Sequence, residues 1–145
     1  MKTLFKHFCI CGVVGWCLEI IFTALHSLQR HEFSLRGNTS LWMFPIYGMA
    51  ATIGPISNVV RKESRFVRGV LYALSIFTIE YLSGCFLMKR KCCPWNYTFS
   101  KWNYKNVIRI DYFPFWILTG LLYEHILSAI ISKKDSNQTK SRTDF

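Results

Sequence analysis

Three carboxylates, Glu19, Glu80 and Glu124, stand inside long apolar stretches of the chain. A charged side chain at a bilayer centre costs about 2.5–3.5 kcal/mol on insertion scales, so such groups face a bundle interior or a cavity. Two chemistries are open to them. As a site they would bind a cation, a proton or the cationic group of a substrate. As structure they would be neutral glutamic acids bonded to Trp16, Tyr47, Tyr72, Thr78 or Tyr123, holding helices together. Arg68 has Tyr72 four residues on, along one helix face. It either joins the polar site or snorkels to the headgroup layer. The candidate intramembrane site is therefore Glu19, Glu80 and Glu124 with Trp16, Tyr47, Tyr72 and Arg68.

Other reactive residues form no recognisable centre. Cys92 and Cys93 are adjacent, which is not a C-x-x-C pair for zinc or redox work. His26 and His125 stand alone, so no metal and no cofactor are expected. No phosphate loop, nucleophile elbow or triad signature occurs, and the chain is not expected to be an enzyme. Asn38, Asn96 and Asn137 each open a glycosylation triplet, but each lies close to an apolar block.

The elements that must position these groups follow from hydropathy. Of 145 residues, 51% are hydrophobic, 17% aromatic and only 18% charged, with a mean hydropathy of +0.19. Four apolar blocks stand out, at about 8–28, 41–60, 66–88 and 112–132, each near the ~20 residues a membrane helix needs. They are apolar around the whole helix, as lipid or a bundle interior requires. The spacing predicts an all-α membrane protein, a bundle of four transmembrane helices forming one domain over 1–132. Pro55 after Gly54 predicts a kink or helix end there. No internal repeat is evident. The basic start resembles a signal peptide, but the apolar run resumes after Glu19 without a cleavage site, so a retained first span is expected.

The net charge is +10, and the cations flank the blocks. That placement is what membrane insertion produces and argues against nucleic acid. The N-terminus, second loop and tail, with Arg68 just inside the third block, carry ten of the 18 Lys and Arg, against eight in the first and third loops. The excess predicts both termini in the cytoplasm. In an up-and-down bundle the three glutamates would share a depth to within about two helical turns. The loop between the third and fourth spans holds Trp95, Tyr97, Phe99, Trp102 and Tyr104. It reads as an interfacial lid capping the bundle. The tail, 133–145, is polar and basic and is expected to be disordered. Its Thr143-Asp144-Phe145 end fits weak capture by a PDZ-type groove.

Several segments together resemble the transmembrane protein 229 family, in its shorter B-type. They are Gly37-Asn38-Thr39-Ser40-Leu41-Trp42 with Ile46-Tyr47-Gly48, Glu19 to Ala24, and Arg68, Tyr72, Glu80 and Gly84. Cys93-Pro94-Trp95-Asn96-Tyr97, then Tyr112, Trp116 and Glu124, complete the series, with Asn96 where Asp is expected. That family is similar to bacterial proteins catalogued as ABC-transporter type IV permeases. The resemblance implies a multi-pass membrane protein of uncharacterised activity, with Cys93, Pro94, Trp95 and Tyr97 as its motif loop. Two roles remain open. One is an accessory subunit in the lipid bilayer, acting through helix contacts with a protein partner or a second copy. The other is a transporter-like protein with a midplane glutamate site coupled to protons or cations. An ABC role would need a separate ATPase chain.

Overall fold

The computed structural model describes residues 2–29 and 31–143, with side chains as far as Ser132. It is mostly helical. Helix α1 covers Lys2–Gln29, α4 covers Arg65–Lys89 and α5 covers Phe113–Thr143. Three stretches are long and apolar enough to cross a membrane: Lys2–Gln29, Arg65–Lys89 and Ile110–Ser132. The backbone of 133–143 continues α5, and the expected terminal triplet ends outside the described residues.

The block expected as a single second span is segmented. It runs as α2 (Met43–Gly48), a 3-10 turn (Met49–Thr52) and α3 (Ile53–Val59), of 6, 4 and 7 residues. Pro55 explains the break. It has no N–H to offer the carbonyl of Ala51, and its ring crowds that carbonyl, so the turn before it tightens. Pro45 and Pro114 sit in the first turns of α2 and α5, where an N–H would have no helical acceptor.

The helices form two hairpins. In the first, α1 packs against α2 and the 3-10 turn: Trp16 meets Phe44 at 5.0 Å between ring centroids, and Phe8 lies over Gly48. In the second, α4 packs against α5, with Phe77 stacked on Phe113 at 5.9 Å. Gly120 permits the close approach, because a Cβ there would stand 2.5 Å from Tyr72 Cβ. Helices α1 and α4 run one way, α2–α3 and α5 the other. Lys2 and Ser132 therefore lie at one end of the bundle. The hairpins join near that terminal end, where Cys11, Ala50, Ile53, Tyr72, Tyr123 and Leu127 form a buried plug. Tyr123 closes it by donating to the Cys11 carbonyl at 3.1 Å. Outward-facing side chains such as Leu118, 66% exposed, are apolar, as a lipid-facing surface requires.

Neither long connection stays outside the bundle. Residues 31–42 fold back along α1 as an extended strap. Residues 90–112 fold back along α4 as a lid containing a short hairpin, β1 (Asn103–Tyr104) and β2 (Ile108–Arg109). Lys105 and Asn106 at its tip have φ of 50° and 59°, and Val107 N–H bonds the Tyr104 carbonyl at 3.1 Å. That is a type I′ turn, which suits the twist of a hairpin. Val107, left out of the strand pairing, is buried against Gly84.

Candidate functional site

Between the hairpins, from the plug to the strap and lid, lies a cavity of about 650 Å³. Its depth is set by Tyr123, Ile53 and Ser75, and its rim by the exposed Glu32 and Arg36. Glu19 and Glu80 both line it, one on each hairpin. Tyr47 also lines it and lies within electrostatic reach of both carboxylates.

Glu19 is held by the strap. Thr39 donates to Glu19 Oε2 at 2.5 Å, and the Tyr47 hydroxyl faces the same carboxyl. The strap lies along the α1 face that carries Trp16, Glu19 and Thr23. Trp16 Nε1 donates to the Ser40 carbonyl at 3.0 Å. Asn38 N–H donates to Thr23 Oγ1 at 2.9 Å, while the Thr23 hydroxyl donates to the Glu19 carbonyl of its own helix at 2.8 Å. Extended backbone at this depth needs such partners, because lipid supplies none. Gly37 allows the contact: a Cβ there would stand 2.5 Å from the Ile20 carbonyl oxygen.

Glu80 is held by the lid. Tyr97 donates to Glu80 Oε1 at 3.3 Å, and within the lid Trp95 donates to the Val107 carbonyl at 3.0 Å. Burial, and then the charge of Glu80, push the Tyr97 phenol above its ordinary pKa. Glu80 is only 8% exposed, and its Oε2 has no hydrogen-bond partner. The Trp116 indole N–H lies toward the same carboxyl without completing a bond and is likewise unpartnered.

The third glutamate does not join them. Glu124 Oε1 lies 3.3 Å from Arg68 Nε and accepts from the Tyr72 hydroxyl at 3.0 Å. The twelve residues from Arg68 to Glu80 cover about 18 Å along α4 at 1.5 Å each. Arg68, Tyr72 and Glu124 thus form a second polar cluster beside the plug, toward the terminal end. The equal depth expected from span lengths assumed that α5 begins where α4 ends. Instead Phe113 packs against Phe77, because the lid turns back along α4 before α5 starts.

Of the motif loop, Pro94, Trp95 and Tyr97 border the cavity and Cys93 does not. Trp16 acts on the strap rather than on the cavity. Thr39, Tyr112 and Trp116 enter the site from outside the candidate set, and Tyr123, considered as a glutamate partner, lines the cavity but bonds the Cys11 carbonyl instead. A signal for two of the aromatics exists in the chain. Phe44-Pro45-Ile46-Tyr47 opens α2 and Phe113-Pro114-Phe115-Trp116 opens α5. In each hairpin the aromatic three residues after Phe faces the glutamate of the preceding helix, Tyr47 to Glu19 and Trp116 to Glu80. The two halves share a plan that simple inspection for repeats does not reveal. Among the described residues no cluster of His, Cys, Asp and Glu is arranged to hold a metal ion.

No solved structure matches the chain. A family model matches over residues 6–144, in keeping with the membrane-compatible helices: the chain belongs to the family described as "Putative ABC-transporter type IV".

Proposed function

We propose that the chain is a permease-like membrane protein that takes a solute into the cavity from the strap-and-lid face. The observation that carries this reading is the position of Glu80, a buried carboxylate with one unpartnered oxygen beside a cavity large enough for a small molecule. Ligand pockets run to about 300–1,000 Å³. Glue between helices would leave no carboxylate oxygen unsatisfied, since such an atom costs about 1–3 kcal/mol. The plug is then the closed side of a pathway, with the Arg68, Tyr72 and Glu124 cluster beyond it.

In this reading the segmented α2–α3 is the fourth crossing, both termini are cytoplasmic and the cavity opens away from the cytoplasm. Coupling to ATP would come from a separate ATPase chain. We read the resemblance to the transmembrane protein 229 family, B-type, as placing the chain in a branch of this family. An accessory role would rest on the outer helix faces, and those are the faces that lipid covers.

Single cysteines in a background with the native cysteines replaced by alanine test the pathway. Ser75→Cys lines the cavity, and Leu127→Cys lies in the plug. A membrane-impermeant maleimide applied to the strap-and-lid face should label the first and not the second. A Ser75→Cys protein that is folded and stays unlabelled would overturn the reading.

A further inference from the structure

We infer that the cavity selects an organic cation, a protonated amine carried on an apolar or aromatic body. The inference rests on the reading that the cavity binds a solute, and it names the class of that solute.

Four observations converge on it. Glu80 Oε2 is a buried acceptor without a donor, and a protonated amine supplies one. Glu19, on the opposite hairpin, adds a second carboxylate to the same cavity. The walls are rich in aromatic rings, among them Tyr47, Trp95, Tyr97, Tyr112, Trp116 and Tyr123. Ring faces are negative and attract ammonium groups, as in aromatic cages for alkylammonium ligands. Finally, the charges of the lining are unbalanced. Among the described residues of the lining, Glu19, Glu32 and Glu80 stand against Arg36, with the His26 imidazole as the other basic group, and Arg36 is exposed at the rim.

Three further cations are engaged elsewhere. Lys105 bonds the Tyr81 hydroxyl at 3.1 Å outside the cavity, Arg109 pairs with Asp111 at 2.8 Å, and Arg68 pairs with Glu124 at 3.3 Å. An anion would meet two carboxylates with no partner at depth. A neutral solute would leave both uncompensated. An amine gains from the carboxylates and the rings together, while the apolar wall of Ile53, Ile76 and Ile79 receives its body.

The same chemistry reaches a membrane protein from two sources, a soluble amine or the amine head of a single-chain lipid. The test uses the full chain in phosphatidylcholine nanodiscs, with 2-phenylethylamine, 2-phenylethanol and phenylacetate as matched probes. Binding is read by calorimetry and by tryptophan fluorescence. The amine should bind about tenfold or more tighter than the alcohol, and phenylacetate should not bind measurably. Glu80→Gln keeps the shape of the side chain and should weaken the amine about ten- to a hundredfold, as expected for losing a charged hydrogen-bond partner. Binding of the alcohol should not change. Glu19→Gln should weaken the amine in the same direction and serves if Glu80→Gln does not fold. Sphingosine added to the nanodisc should displace the amine if the natural source is lipid-borne, and should leave it bound if the source is soluble.

Equal binding of the alcohol or the acid would overturn the inference, as would the absence of amine binding. Labelling of Ser75→Cys separates the two failures. With labelling but no amine preference, the cation class falls and the pathway stands; without labelling, both fall.

Discussion

Gly37→Ala should loosen the strap and cost stability out of proportion to one methyl group. The glycine has no positive φ to require it, so the backbone itself would accept alanine. The obstacle is the neighbour. The new Cβ would stand 2.5 Å from the Ile20 carbonyl oxygen and 2.6 Å from Ile20 Cγ2, where real Cβ contacts stay above 3.0 Å. A helix carbonyl cannot rotate away, so the strap must lift by about 0.5 Å or more. Three attachments then stretch together: Thr39 to Glu19 at 2.5 Å, Asn38 to Thr23 at 2.9 Å and Trp16 to Ser40 at 3.0 Å. At about 1 kcal/mol for each intramolecular hydrogen bond, their loss amounts to about 3 kcal/mol. Gly54→Ala is the internal control. Its Cβ would meet only Leu127 Cδ1, at an ordinary 3.8 Å, and alanine is the better helix former by about 1 kcal/mol. Thermal unfolding in one detergent should therefore lower the midpoint for Gly37→Ala and keep or raise it for Gly54→Ala. Equal midpoints for Gly37→Ala and the wild type would refute the claim that the strap is seated on α1. So would a loss at Gly54 as large as that at Gly37.

Other outcomes follow from the same geometry. Glu124→Gln leaves Arg68 beside a neutral partner and should cost about 1–3 kcal/mol, while Arg68→Gln with Glu124→Gln should cost less than the two single changes summed; additive values in a double-mutant cycle would show no coupling. Tyr97→Phe removes the 3.3 Å bond to Glu80 and should raise amide exchange across 94–112 while leaving the strap protected. Tags at the two termini should share one protease accessibility in sealed cells, because α2–α3 returns the chain; opposite accessibility would show that it does not cross.

Hydropathy alone locates α4, the end of α1 and the start of α5 to within a turn, because continuous apolar stretches need no partner to be recognised; α1 itself begins six residues before its apolar block, in the basic segment from Lys2. The break before Pro55 is equally local, a matter of one missing N–H. What hydropathy hides is the return of the connections into the bundle. Gly37-Asn38-Thr39-Ser40 is polar and short, so it reads as a surface loop. Its seat is made by Trp16, Glu19 and Thr23, whose role appears only when the strap lies beside them. The misplaced depth of Glu124 has the same origin: counting residues per span cannot register a lid that shortens the overlap of α4 and α5. Glu19 and Glu80 were legible as carboxylates in the wrong solvent. Their shared cavity was not, because it depends on how two hairpins meet.

That meeting has a mechanical consequence. The hairpins are fastened chiefly at the plug, where α3 and the neighbouring 3-10 turn lie against α5. Above it, Phe22 on α1 touches the second hairpin through edge-on contacts with Tyr112 and Phe115, at 5.8 and 5.4 Å between centroids. Rings meeting edge to face can slide without breaking a directional bond. The molecule is thus built like a pair of tweezers, riveted near one end and closed by a soft catch at the other. A swing of about 8° at the rivet would carry Glu80, eight residues or about 12 Å up the arm from Tyr72, through about 1.7 Å. That is enough to exchange one carboxylate partner for another while the rivet stays packed.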